Sequence, residues 1–225
     1  MPSRTLLLGH RGARAEKTIP ENTLASFDLA LAQGCDGFEF DVRLSADGQA
    51  VICHDASIRG LDIAQCPAEK LALPLLQEVL TRYRGRAFLD IELKSSGLEK
   101  ITADLLRDCA PPRGYVVSSF LPGVLQTLHK IDATIPLGLI CETRAQFSLW
   151  PKLPIEYLIP HYTLVRRSVV AKIKAVGKKI FVWTVNVPGE MKRFSAWGVD
   201  GIISDYPQRL ALTARRKIGP RTEKI

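Results

Sequence analysis

Short apolar segments with the composition of buried strands alternate with helix-like segments along almost the whole chain. The strand-like segments are residues 5–9, 37–42, 87–93, 115–118, 137–141, 157–160, 180–185 and 201–204, with a short extra piece at 51–54. After the first helix, the helix-like segments are residues 75–83, 98–109, 121–131, 143–150, 166–176, 188–197 and 207–216. This alternation is typical of α/β proteins with one parallel sheet, and eight repeats predict a TIM (β/α)8 barrel. The alternative, an open doubly wound sheet, is disfavoured because no G-x-G-x-x-G turn is present.

The first helix is predicted between the first two strands. Leu24, Phe27 and Leu31 follow the spacing of one helical face. Asn22 is a suitable N-cap and Gly34 is suited to ending the helix. In a TIM barrel the active site lies where the strands end, so the loops after the strands are the place to look for chemistry.

Length and charge limit the domain organisation and the partners. The 225 residues contain no linker-like stretch, so we expect a single domain over residues 1–225. The formal net charge is +8, but the last eleven residues hold five basic residues and one acidic residue, which accounts for half of that excess. This short basic tail at about 215–225 is expected to be solvated, and no nucleic-acid partner is expected.

The apolar runs near the N-terminus and the cysteines indicate the compartment. Residues 6–8 form the longest apolar run there, too short for a signal peptide or a membrane span, so a cytoplasmic protein without stable membrane insertion is expected. The five cysteines show no C-x-x-C spacing and are expected to be free thiols.

Two apolar runs carry charged side chains at alternate positions. Glu39 and Asp41 lie in one run, and Glu92 and Lys94 end another. Alternate residues on a strand share a face, so each pair points into one space. Burying such charges costs several kcal/mol apiece, roughly, unless they are compensated or bind a metal. The carboxylates therefore predict either ion pairs with basic neighbours or a metal site.

Two histidines and an arginine follow strand-like segments. His10 and Arg11 come directly after the first one, and His54 ends the extra piece. Imidazole titrates near neutral pH, so the two histidines together are suited to act as general acid and base. Arg11 and Lys94 are suited to hold phosphate oxygens. This inventory is typical of metal-assisted chemistry on a phosphoryl group, with a hard divalent ion, Mg²⁺ or Ca²⁺.

The order of the motifs resembles that of the glycerophosphodiester phosphodiesterase family over roughly residues 5–212. The matching segments are His10-Arg11-Gly12, Pro20-Glu21-Asn22-Thr23, residues 34–42, Asp47-Gly48, His54-Asp55, Glu92-Leu93-Lys94, Ser118-Ser119-Phe120, residues 183–186 and residues 198–207. The resemblance implies that His10 and His54 are the catalytic pair and that Glu39, Asp41 and Glu92 hold one divalent metal ion. It also implies that Trp183 lines the pocket and that Arg11 and Lys94 bind the substrate.

The function implied by this resemblance is hydrolysis of a small-molecule glycerophosphodiester to an alcohol and glycerol 3-phosphate, through a cyclic phosphate. We expect His10 to be the base and His54 the acid. Lysophospholipase D or a cyclising phospholipase is an alternative on the same barrel. A barrel that only binds phosphodiesters is a further alternative, and it predicts the loss of a metal ligand or a histidine. The oligomeric state stays open.

Other positions carry weaker signals. His129 falls on a helix and is expected at the surface, whereas His161 ends a strand near the rim of the site. Strand-end residues without an evident role are Ser118, Ser119, Asn186 and Asp205. Residues 56–73 are shorter than the corresponding insertion of typical family members, which predicts a smaller lid and broad tolerance of the alcohol.

Overall fold

Eight parallel strands close into a barrel in the computed structural model, which describes residues 4–215. The strands of this part of the chain are β1 Leu6–Gly9, β2 Gly37–Leu44, β3 Ala50–Ile52, β4 Ser57–Ile58, β5 Leu61–Asp62, β6 Phe88–Leu93, β7 Tyr115–Ser119, β8 Leu137–Cys141, β9 Tyr157–Pro160, β10 Lys179–Val182 and β11 Gly201–Ser204. The barrel contains β1, β2 and β6 to β11, and β1 closes it by pairing with both β2 and β11. The predicted TIM barrel is confirmed.

Three strands have the predicted bounds, and two segments differ in an informative way. The segment predicted at 180–185 is a strand only to Val182, because Trp183 beyond it makes a single isolated bridge with His161. The extra piece at 51–54 is β3, which pairs with β2 in antiparallel orientation. It therefore lies at the end of β2 as a side branch rather than as a barrel strand.

Helices on the outside of the barrel connect its strands. The helices of residues 4–215 are α1 Leu24–Ala32, α2 Ala68–Leu71, α3 Leu76–Tyr83, α4 Glu99–Cys109, α5 Pro122–Ile131, α6 Arg144–Phe147, α7 Arg167–Ala175, α8 Pro188–Trp197 and α9 Pro207–Arg215. The helix predicted at 143–150 was too long. Pro151 has no N–H to donate to the Phe147 carbonyl four residues earlier, and its ring crowds that carbonyl, so α6 ends at Phe147 and a separate 3₁₀ turn follows at Trp150–Lys152.

The predicted N-cap of α1 was wrong by one residue. Thr23 is the cap, and its side chain accepts a hydrogen bond from the backbone N–H of Ser26. Asn22 instead has a positive φ of 56°, a conformation that asparagine tolerates better than most residues. This turn directs the Asn22 side chain towards β2, where it binds Asp41.

Residues 56–73 fold into small elements that the sequence patterns did not predict. They contain the β4–β5 hairpin, a 3₁₀ turn at Ile63–Gln65 and α2. Ile63 of the turn and Leu71 of α2 pack against Val51 and Cys53. The segment thus has an apolar cluster of its own at one edge of the barrel.

The barrel interior has an apolar floor below a charged upper layer. The floor contains Leu8, Phe88, Val116, Ile140, Tyr157, Ile159, Phe181 and Ile203. Side-chain alternation along β6 places Asp90 and Glu92 on the same face as Phe88, closer to the carboxyl end of the strand. The end of the barrel at which the strands terminate, here called the catalytic face, therefore carries the charge.

Two predictions concern membranes and the C-terminal tail. Within residues 4–215, no helix combines the length and the apolar character that crossing a bilayer requires. Apart from Arg215, the basic tail lies outside the described residues.

Candidate active site

Three buried carboxylates meet at the catalytic face. Glu39 and Asp41 lie on β2 and Glu92 lies on β6, and the parallel register places Asp41 beside Glu92. One carboxylate oxygen from each residue lies within 4.8 Å of the other two, close enough for a shared metal ion. The structure therefore brings all three predicted ligands together.

Burial and mutual repulsion make the ionised forms of Glu39 and Glu92 unfavourable. Burial and the charges of Asp41 and Glu92 raise the pKa of Glu39 well above its ordinary value. Burial and Asp41 raise the pKa of Glu92 to about 7. Glu39 Oε1 is buried without a hydrogen-bond partner among the described residues. A hard divalent cation fits this oxygen-only donor set, because it would satisfy the free oxygen and compensate the repulsion.

Arg11 and Lys94 flank the carboxylates with positive charge. Lys94 Nζ lies 2.6 Å from Glu92 Oε1 and 3.3 Å from Asp41 Oδ1. Arg11 Nε lies 3.3 Å from Asp41 Oδ2, and the backbone N–H of Arg11 donates to Glu39 Oε2 at 3.0 Å. Burial opposes ionisation of Asp41, but Lys94 and Arg11 outweigh it and lower the pKa of that carboxyl.

His10 is buried beside the cluster and is oriented by Asp205. Nδ1 of His10 lies 2.6 Å from Asp205 Oδ1, so the ring donates its Nδ1 proton to the carboxylate. The other nitrogen, Nε2, lies 3.8 Å from Glu39 Oε2. Burial lowers the pKa of His10 although the neighbouring Asp205 opposes this shift. Neutral His10 therefore has an unprotonated Nε2 directed into the site.

Asp205 is held in turn by Asn186. Burial alone would raise the pKa of Asp205, but hydrogen bonds from His10 and Asn186 lower it to about 2. Asn186 Nδ2 donates to Asp205 Oδ2 at 2.7 Å, and Asn186 Oδ1 accepts from the Asp205 backbone N–H at 3.0 Å. Both residues had no evident role in the sequence, and the structure makes them the support of His10.

His54 follows β3 and is more open to solvent than His10. Its side chain is 34 % exposed, and Nδ1 lies 2.7 Å from Asp55 Oδ1. Arg43 on β2 fixes this loop, because its Nε donates to the His54 backbone carbonyl at 2.8 Å. One histidine of the predicted pair is therefore buried and the other faces the mouth.

These residues form one side of a cavity of about 280 Å³. That side, here called the charged wall, contains His10, Arg11, Glu39, His54, Asp90, Glu92 and Lys94. The opposite side, here called the apolar wall, contains Phe120, Ile140, Ile159, Trp183 and Ile203, with Glu142 at its edge. Asp41 lies behind the charged wall within the carboxylate cluster. None of the residues of segment 56–73 lines this cavity.

The predictions for the other two histidines can be compared with their positions. His129 is exposed on α5, as expected. His161 is at the rim, where its ring centroid lies 5.3 Å from that of Trp183 and its Nδ1 lies 2.8 Å from Thr163 Oγ1. It therefore borders the apolar wall.

Comparison with known proteins gives this cavity a family context. Residues 10–85 and 64–209 match the model of the glycerophosphoryl diester phosphodiesterase family. The chain belongs to this family. A glycerophosphodiester phosphodiesterase of Caldanaerobacter subterraneus subsp. tengcongensis is 31 % identical over 95 % of this chain and 99 % of its own length.

The names of two further similar proteins state a bound product or an activity. A phosphodiesterase structure from Oleispira antarctica, in complex with the product sn-glycerol-3-phosphate, has a TM-score of 0.82 and 27 % identity. The match covers 93 % of this chain and 96 % of that one. A lysophospholipase D from Mus musculus is 23 % identical over 90 % of this chain and 84 % of its own length.

Sequence reasoning did not identify two polar residues of this phosphodiesterase-family site. Asn22 Nδ2 donates to Asp41 Oδ2 at 2.8 Å, and Asn22 Oδ1 accepts from the Asp41 backbone N–H at 3.2 Å. Asp90 lies below Glu92 and accepts a 2.6 Å hydrogen bond from Ser118 Oγ. Burial raises the pKa of Asp90 to about 7. The alternation along β6 contained the signal for Asp90, since it shares the face of Glu92.

Proposed function

We propose that this chain, acting as a single domain, is a metal-dependent phosphodiesterase that releases glycerol 3-phosphate and an alcohol from glycerophosphodiesters. The observation that carries the proposal is the convergence of three buried carboxylates, two histidines and two basic side chains on one cavity. The names of the relatives support the same reaction. No predicted metal ligand or histidine is missing, which favours a catalyst over a barrel that only binds.

Glu39, Asp41 and Glu92 are the proposed ligands of one divalent ion, Mg²⁺ or Ca²⁺. When bound, such an ion supplies Lewis-acid stabilisation of phosphoryl charge and a template for the reacting groups. The support for this role is the unsatisfied, buried oxygen of Glu39 in a repelling cluster.

His10 is the proposed base. It accepts the proton of a free glycerol hydroxyl at Nε2 while that oxygen forms a bond to phosphorus, which gives a cyclic phosphate. The support is the Asp205 hydrogen bond, which fixes the ring with Nε2 free, together with the lowered pKa of His10. An internal nucleophile also avoids the entropic cost of a bimolecular attack.

His54 is the proposed acid, which gives its proton to the departing alcohol oxygen as the bond from phosphorus to that oxygen breaks. Its place near the open mouth supports this role, because the alcohol leaves towards solvent. Arg11 and Lys94 then hold the charge of the pentacoordinate phosphorus. Water opens the cyclic phosphate in a second step, in which the two histidines exchange roles.

Release of glycerol 3-phosphate tests this function. We expect turnover of glycerophosphocholine by the purified protein with added Mg²⁺ or Ca²⁺, and no turnover of an analogue that lacks the free glycerol hydroxyls. Hydrolysis of that analogue at the rate of glycerophosphocholine would contradict the cyclic intermediate. Absence of turnover with every glycerophosphodiester and either ion would contradict the function.

A second candidate is a lysophospholipase D that acts on lipid-sized diesters. Exposed apolar side chains follow three barrel strands at the catalytic face, namely Leu121 at 41 %, Val187 at 60 % and Tyr206 at 38 % exposure. Such a surface suits an acyl chain. Turnover of lysophosphatidylcholine above that of glycerophosphocholine would favour this candidate over the first.

A further inference from the structure

Glu142 is a charged residue of the cavity that the proposed reaction does not use. It directly follows β8, and strand alternation places it on the face of Ile140. Both residues line the cavity. Glu142 therefore faces the same space as the phosphodiester, but from the edge of the apolar wall.

The backbone around Glu142 is fixed by a capping box. In this box the Thr143 N–H donates to Gln146 Oε1 at 3.1 Å, and Thr143 Oγ1 accepts from the Gln146 N–H at 3.2 Å. The Glu142 N–H also donates to Gln146 Oε1, at 3.0 Å. The preceding Cys141 carbonyl accepts from the His161 N–H at 2.7 Å. These bonds hold the loop at the level of the β9 terminus, so the position of Glu142 at the cavity edge is defined by the fold.

The Glu142 carboxylate makes no ion pair or hydrogen bond with residues 4–215. The two basic side chains of the cavity contact other acids, since Arg11 contacts Glu21 and Asp41, and Lys94 contacts Asp41 and Glu92. An unpaired carboxylate in a cavity for an anionic phosphodiester repels that substrate, unless another part of the substrate is positive.

Trp183 supplies an aromatic face in the same cavity. Its Nε1 donates to the Ile159 carbonyl at 2.9 Å, which fixes the ring. Phe120 packs edge to face against Trp183 at 5.7 Å, but its own ring already has Lys94 Nζ at 5.7 Å. Within residues 4–215 no lysine or arginine lies over the Trp183 ring, so of the two aromatic side chains in the cavity Trp183 is the one without a cation of the protein against its face.

We propose, on the basis of the phosphodiesterase function above, that Glu142 and Trp183 form a subsite for a cationic alcohol, such as choline or ethanolamine. The charged wall holds the phosphoglycerol half, and the ammonium group of the alcohol lies against Trp183 and near Glu142. Such a subsite is independent of residues 56–73, none of which lines the cavity. The short segment 56–73 predicted broad tolerance of the alcohol. In this proposal Glu142, in the loop after β8, restricts the choice of alcohol instead.

Two diesters of equal shape and different charge test the subsite. One is glycerophosphocholine, and the other carries 3,3-dimethylbutanol, in which carbon replaces the choline nitrogen. Choline is also the better leaving group, so the decisive quantity is the change in the ratio of the two kcat/KM values on substitution. Glu142→Gln is expected to lower that ratio about two- to fivefold, the range for an exposed ion pair, through the KM of the choline diester. Glu142→Lys is expected to lower it further.

A control and a salt series complete the test. Glu156→Gln removes the same charge at the opposite end of the barrel and is expected to leave the ratio unchanged. The wild-type ratio is expected to approach that of Glu142→Gln at about 1 M NaCl, because salt screens an exposed pair. An unchanged ratio in both Glu142 variants would overturn the subsite while the phosphodiesterase function stands. Absence of turnover of both diesters would instead overturn the function on which the subsite rests.

Discussion

The two walls of the cavity differ in the kind of side chain that the barrel presents. The charged wall is built from the ends of β1, β2 and β6 and the loop after β3, and its groups are linked by short hydrogen bonds and ion pairs. The apolar wall is built from the ends of β7 to β11, and it offers shape and one carboxylate, that of Glu142, which has no partner within residues 4–215. In our proposals, one part of the ring of strands therefore carries out the reaction, and the other part recognises the alcohol.

The difference has an energetic cause. The charged wall concentrates carboxylates whose burial is unfavourable, and a bound divalent ion would compensate the repulsion between them. The apolar wall is stable without a ligand, because its side chains continue the barrel floor. Substitutions in the charged wall are therefore expected to act on kcat, and those in the apolar wall on KM. Substitutions in each wall test this expected difference between effects on kcat and effects on KM.

The largest effect is expected for a proposed metal ligand. Glu39→Gln removes one ligand charge, and since a metal contributes several kcal/mol to such reactions, kcat/KM is expected to fall roughly a thousandfold or more. Glu69→Gln, an exposed acid on α2, is the matched control. Circular dichroism checks that the variant folds. Turnover within a few-fold of wild type would remove Glu39 from the reaction.

The two histidines come next. His10→Ala and His54→Ala are each expected to lower kcat by about 10²–10⁴, the range for a positioned acid or base, whereas His129→Ala is expected to have no effect. A nitrophenyl diester has a leaving group that needs no proton, so it is expected to restore turnover in His54→Ala and not in His10→Ala. Rescue of His10→Ala alone would reverse the two assignments.

A smaller effect is expected for the support of His10. Asp205→Asn leaves His10 in place but weakens its orientation, so a loss of about 10- to 100-fold in kcat is expected, by analogy with residues that orient metal-bound histidines. Asp205 raises the pKa of His10, so its removal lowers that pKa further. The acidic limb of the kcat/KM profile is then expected to move to lower pH. A limb that moves to higher pH would contradict His10 as the base.

The smallest effect is expected in the apolar wall. Trp183→Leu keeps an apolar side chain at the cavity, so a rise in KM below about tenfold with kcat nearly unchanged is expected for glycerophosphocholine. Initial-rate kinetics separate the two constants. A loss in kcat as large as that of the histidine variants would abolish the contrast between the walls.

The charged wall was more predictable from the sequence than the apolar wall. Glu39, Asp41 and Glu92 interrupt apolar runs, and a buried charge demands an explanation that a pattern can provide. Glu142 could not be recognised in this way, because an acidic residue after a strand is ordinarily solvated. Its significance depends on which strands become neighbours, and one sequence does not contain that information.

In the fold, too, local patterns were predictable from the sequence, and contacts between distant segments were not. The segment Leu137–Cys141 was predicted with its observed bounds because its composition and flanks agree, whereas the end of β10 was not. The use of Thr23 rather than Asn22 as the N-cap of α1 depends on Asp41 being near enough to bind Asn22. The role of Asp205 likewise depends on the approach of β1 and β11, which are almost 200 residues apart in the chain.

Addition of a divalent ion to chelator-treated protein tests the central claim most directly. Activity on glycerophosphocholine and the Tm are measured together for the wild type and for Glu39→Gln, across a series of Mg²⁺ and Ca²⁺ concentrations. We predict that chelated wild type is inactive and that activity and Tm rise over the same concentration range, since an ion that binds the folded state stabilises it. Neither is predicted to rise in Glu39→Gln. Full activity of metal-free wild type, or an equal response of both proteins, would contradict the account.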